Sequence, residues 1–103
     1  MIAFYAIIRS ENNSMNATHS KTLQLVFKTP VSSTIAWRQI ESMLIALGAQ
    51  VIEGNGSRVR FVLNDVVATF HRPHPHKEAK PYQVKDAKAF LIQAGYNAEG
   101  AQP

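Results

Sequence analysis

The chain has 103 residues, enough for one domain and too few for two. With 46% apolar and 17% charged residues it can bury a modest core and is no disordered polyelectrolyte, and it has no cysteine, which excludes disulfides and thiolate metal sites and favours a reducing cytoplasm. Lys and Arg number 11 against 7 Asp and Glu, a formal charge of +4 that suits a polyanionic partner, and no apolar run is long enough to cross a bilayer.

The apolar start, Met1 to Ile8, lacks a positive leader, and Arg9 to Asn13 offer no small-residue cleavage site, so it does not read as a signal peptide. Met15, just before Asn16-Ala17-Thr18-His19, reads as the natural start. Residues 1–18 are then an N-terminal extension, loosely ordered or a start-site artefact over 1–14, with an added edge strand as the second choice. Ser20 to Lys28 places Leu23, Val26 and Phe27 at helical spacing, a short first helix closed by Thr29-Pro30. Ser32-Ser33-Thr34 then offer N-cap hydroxyls for an amphipathic helix. Its apolar stripe is Trp37, Ile40, Met43, Leu44 and Leu47; Gly48 ends it, and Arg38, Gln39, Glu41 and Ser42 face water.

Three strands follow. Gln50 to Glu53 stops at the turn Gly54-Asn55-Gly56. Ser57 to Leu63 alternates, with Val59, Phe61 and Leu63 on one face and Arg58, Arg60 and Val62 on the other. Asn64-Asp65 is a two-residue turn into Val66 to Phe70, which makes a hairpin. A last helix starts near Gln83 with Val84, Ala87, Phe90 and Leu91 on its apolar side and closes at Gly95, after which residues 97–103 read as a free tail. The expected fold is α+β: helix, three-stranded antiparallel sheet, helix, in one domain over residues 19–96 with a short helix in front. The helices cover one face of the sheet and leave the other wet.

Chemistry concentrates in His71-Arg72-Pro73-His74-Pro75-His76-Lys77, which holds three of the four histidines of the chain. Imidazole titrates near neutrality and binds phosphate when charged, and the prolines are expected to hold the segment extended. Arg58 and Arg60 point the same way on the second strand, and with Arg72, His76, Lys77 and Lys80 they could line a phosphate-binding surface. Alternating arginines also do no more than keep a sheet face soluble. Metal-free RNA cleavage needs a base for the ribose 2′-OH, an acid for the leaving oxygen and cations for the phosphorane, roles open to His71 or His74 with Arg58. The plainer reading is phosphate binding without chemistry. His71-x-x-His74-x-His76 is not the spacing of a standard zinc motif, and neither a metal nor a cofactor is expected.

The run Trp37 to Ala49, then Gly56-Ser57, then Phe70-His71-Arg72-Pro73-His74-Pro75-His76, then Val84 to Gly95, resembles the HicA toxin family over about residues 34–96. That resemblance implies a double-stranded-RNA-binding-like α-β-β-β-α fold. It also implies a small toxin that cleaves mRNA without a metal and is silenced by a HicB antitoxin. The family's catalytic histidine follows the Gly-Ser pair on the second strand, where this chain has Arg58. Arginine stays protonated and cannot be the base. Either a histidine of the 71–76 segment takes the role, His71 first, or the domain binds RNA or its antitoxin without cutting.

Overall fold

In the computed structural model, residues 16–102 are described; the expectations for residues 1–15 lie outside them. Helix α1 (Ala17–Phe27) starts where the Asn16 side chain accepts the His19 N–H at 2.9 Å, and it buries Thr22, Leu23 and Val26. Helix α2 (Trp37–Ala46) buries Trp37, Ile40, Met43 and Leu44, the stripe expected of it. Its start differs from expectation. The Ser32 and Thr34 hydroxyls lie 3.3 Å apart, and the Thr34 N–H donates to Ser32 Oγ, so these side chains close their own turn. The N-cap is Ala36, which has no side chain to cap with; Gln39 instead reaches back and its Oε1 accepts the Ala36 N–H at 3.1 Å.

Strands β1 (Gln50–Glu53), β2 (Arg58–Leu63) and β3 (Val66–His71) form one antiparallel sheet in the order β1-β2-β3. Asn64 and Asp65 both have left-handed backbones (φ 51° and 68°), the geometry that lets a two-residue turn follow the twist of the strands it joins. The Asn64 amide also donates to the Ala94 carbonyl at 2.8 Å, tying the turn to the end of helix α3 (Pro81–Gln93). Helix α3 opens on Pro81, where a missing N–H costs nothing, and lies against β3, while α1 lies against both α2 and α3. This is the expected α+β order, helix, three strands, helix, with a helix in front. Among the described residues no helix is long and apolar enough to cross a membrane.

The alternation of β2 sorts its side chains as expected. Val59, Phe61 and Leu63 are buried with Phe70 of β3, and the two phenylalanine rings meet Trp37: the centroids of Trp37 and Phe70 are 5.1 Å apart, those of Phe61 and Phe70 5.9 Å, those of Trp37 and Phe61 6.3 Å. Tilted and edge-on rings at these separations add to the area they bury. The chain does not run free after α3. Tyr96–Asn97 (β4) pairs with Gly100–Ala101 (β5), and the Gln102 N–H returns to the Gly95 carbonyl at 2.8 Å. Tyr96 is buried, and burial raises the pKa of its hydroxyl. The free tail expected over 97–103 is thus a small ribbon through Ala101, held by this aromatic anchor.

Candidate nucleic-acid interface

Since Val59, Phe61 and Leu63 face the helices, the intervening residues of β2 face away from them. Register then assembles rows across the sheet. Ile52, Arg60 and Thr69 are successive Cα partners, and Arg58 is the partner of His71. Directly opposed residues hold their Cβ atoms about 4.5–5.5 Å apart, so the imidazole and the guanidinium start from one spot. Ile52, Gly54, Asn55, Arg58, Arg60, Thr69 and His71 line a shallow cavity of about 600 Å³. No carboxylate lines it, and His71 is the one histidine of that lining. Gly54 forms part of the wall because the chain passes close there: its N–H donates to the Arg58 carbonyl at 2.9 Å, and a Cβ on it would sit 3.2 Å from Arg58 Cβ. Beside this basic end Ile52 and Val67 are 38% and 56% exposed, so the open face carries apolar as well as cationic surface.

The remaining expected site residues are not gathered there. Arg72, expected to contact RNA, is half-buried and paired with two carboxylates of the protein itself. Its Nε and Nη2 donate to Glu41 at 3.1 and 2.8 Å, and its Nη1 and Nη2 donate to Glu53 at 2.6 and 2.9 Å. Glu41 also accepts the Trp37 indole N–H at 2.9 Å, so a charged bridge runs from the aromatic core to the end of β1. Glu41, expected to face water, is half-buried in this bridge. The segment after Arg72 bends at Pro75 and Lys77 instead of staying extended. It is pinned beside the start of α2, where the Trp37 N–H donates to the Lys77 carbonyl and the Ala79 N–H to the Ile35 carbonyl, both at 2.8 Å. His74, His76 and Lys77 are exposed on this segment and do not line the cavity, and Lys80 occupies the N-cap position of α3 with no side-chain cap bond of its own. Among the described residues no group of three His, Asp or Glu side chains could hold a metal ion.

The guanidinium of Arg72 holds the Glu53 carboxyl below the usual carboxylate range through its hydrogen bonds, and the two carboxylates, Glu53 first, raise the pKa of Arg72 in return. A depressed folded pKa means that Glu53 contributes stability above the unfolded carboxylate value of about 4.3 and loses it as pH falls through the folded value. Glu53→Gln should therefore flatten the acid limb of a melting-temperature profile taken through that window. Superimposable acid limbs for wild type and variant would show that the pair contributes nothing in solution.

The family model described as the HicA toxin of bacterial toxin-antitoxin matches residues 37–96, from the first residue of α2 to the first of β4 and more than half of the chain. The chain belongs to the HicA toxin family. The match spans all three strands and the cavity between them, so the open face belongs to the HicA domain itself, while α1 lies outside the matched span. No curated protein and no solved structure matches the chain.

Two HicA-domain features carry no sequence signal strong enough to find beforehand. Arg72 reads as one more cation in a basic segment because its two partners are 31 and 19 residues away. Gln83 reads only as a helix start, yet it is 2% exposed and its Nε2 donates to the His71 carbonyl at 2.6 Å. A polar residue at the third position of a helix, three after a residue that cannot cap, was the available hint.

Proposed function

We propose that this toxin binds RNA on the open face of its sheet and cuts it without a metal, with His71 as the proton-transfer group and Arg58 and Arg60 holding the phosphate. The observation that carries the reading is the cross-strand pairing of His71 with Arg58 in one cavity that no carboxylate lines. In such a cut the base takes the proton of the ribose 2′-OH and the 2′-oxygen attacks phosphorus. The bond to the 5′-oxygen breaks, and that oxygen takes up a proton from the conjugate acid or from water. The products are a 2′,3′-cyclic phosphate and a 5′-OH end. The negative charge that gathers on the phosphorane is met by guanidinium groups, which stay charged at every relevant pH. Membership of a toxin family implies an antitoxin, here a HicB-like protein, and action in the cytoplasm where mRNA is reached.

A second reading has its own support. Arg58 stands where the resemblance places the catalytic histidine, which leaves one histidine in the cavity and favours an RNA-binding or antitoxin-binding domain that does not cut. Incubating the purified protein with a labelled single-stranded RNA in EDTA decides between them. Fragments ending in cyclic phosphate are expected. If the RNA stays intact while salt-sensitive binding persists, the second reading holds, and Arg58→Ala with Arg60→Ala should then reduce the slope of log affinity against log salt by about 1.4, the loss of two phosphate contacts to a single strand.

A further inference from the structure

Three constraints converge on the backbone around His71. The Arg72 N–H donates to the Ser57 carbonyl at 2.8 Å, and the Arg72 side chain is clamped by Glu41 and Glu53. The third is Gln83, whose amide uses both ends: Nε2 donates to the His71 carbonyl at 2.6 Å, and Oε1 accepts the Lys80 N–H at 3.0 Å. A glutamine at 2% exposure with both ends engaged has no water to fall back on, so each bond would be costly to break. The carbonyl it holds belongs to the last residue of an edge strand, where inter-strand pairing ends and the backbone is otherwise freest. We propose that Gln83 is a positioning residue: by fixing the His71 carbonyl from helix α3 it sets where the His71 imidazole stands opposite Arg58.

The inference rests on the reading of the open face as the RNA site, and its effect is on geometry, not on contact with RNA. Gln83→Met keeps the volume and removes the donor and the acceptor together. It should lower kcat for RNA cleavage on the order of 10-fold or more while KM changes by about twofold or less, because a displaced acid–base group weakens the transition state and leaves phosphate binding alone. The His71 ring resonances in a carbon–nitrogen correlation spectrum should move or broaden, and those of His19, His74 and His76 should stay in place. Gln83→Glu, read at alkaline pH where the carboxyl is ionised, keeps an acceptor for the Lys80 N–H and loses the donor to His71. It should reproduce both effects, and circular dichroism melts of both variants confine the comparison to temperatures at which each is folded.

The two proposals fail separately. If wild type does not cut RNA but the His71 resonances still respond to Gln83, the positioning role stands and the cleavage reading falls. If wild type cuts and the variants match it in kcat with His71 resonances in place, Gln83 is a helix cap and nothing more. A fall in kcat with His71 resonances in place and a lower melting temperature would assign Gln83 a purely structural part and overturn the inference.

Discussion

His71→Ala is expected to lower the rate of RNA cleavage in EDTA by about 10²–10⁴-fold, the range that one positioned acid–base group contributes. Stability should hardly change, because the side chain is exposed at the end of an edge strand and surface substitutions of this kind stay within about 0.5 kcal/mol. The measurement is a time course on labelled single-stranded RNA, with circular dichroism melts of the same preparations as the control for folding. His74→Ala belongs in the same experiment. Both histidines sit in one basic segment, but the cavity takes in His71 and not His74, whose backbone follows the chain toward the start of α2. A smaller loss is therefore expected for His74→Ala. If the order is reversed, proton transfer belongs to the 72–80 segment and the cross-strand pair with Arg58 is a phosphate clamp. If neither change affects a cleaving protein, neither His71 nor His74 acts and the proposed mechanism is wrong.

That the strands could be read ahead of the structure has a simple physical reason. Strand β2 alternates over its whole length, and a period of two assigns every side chain to a face once one face is buried. The stripe of α2 works in the same way at its own period. With Asn64-Asp65 fixing the hairpin register, the meeting of Arg58 and His71 was within reach of sequence reasoning. What stayed hidden depends on contacts that no local pattern encodes. The engagement of Arg72 needs the end of β1 and the first turns of α2 to arrive at one place, and nothing in a basic heptapeptide announces that. Hydroxyls are good caps, so Ser32 to Thr34 point to a start for α2 there, whereas the chain uses Gln39 from inside the helix. The ribbon at residues 96–101 has strands of two residues each, too short for any period to register. A free surface cation and one held by two carboxylates look alike in sequence, so the ion pairs of Arg72 are not legible there.

Phe61→Ala is expected to cost about 3–5 kcal/mol, the usual range for truncating a fully buried aromatic. Phe61 is 0% exposed and packs against both Trp37 and Phe70, so its removal opens a void bordered by two rings that cannot easily collapse into it. A domain of this size has a total stability of about 5–15 kcal/mol, so such a loss populates unfolded chains under mild conditions. Urea titration of wild type and variant gives the difference directly, and Phe61→Leu, which keeps most of the volume, should cost less, on the order of 1–2 kcal/mol. The consequence reaches the functional face because Phe61 lies between Arg60 and Val62 and pairs with Val51 on one side and Ala68 on the other. Strand register is held by the buried set of side chains, and a strand that slips by one residue turns its arginines inward. Phe61→Leu should therefore retain RNA binding at temperatures where it is folded, whereas Phe61→Ala should lose binding in step with its structure. A cost below about 1 kcal/mol for Phe61→Ala would mean that the ring cluster is not what holds β2 in place, and the orientation of Arg58 and Arg60 would need another cause.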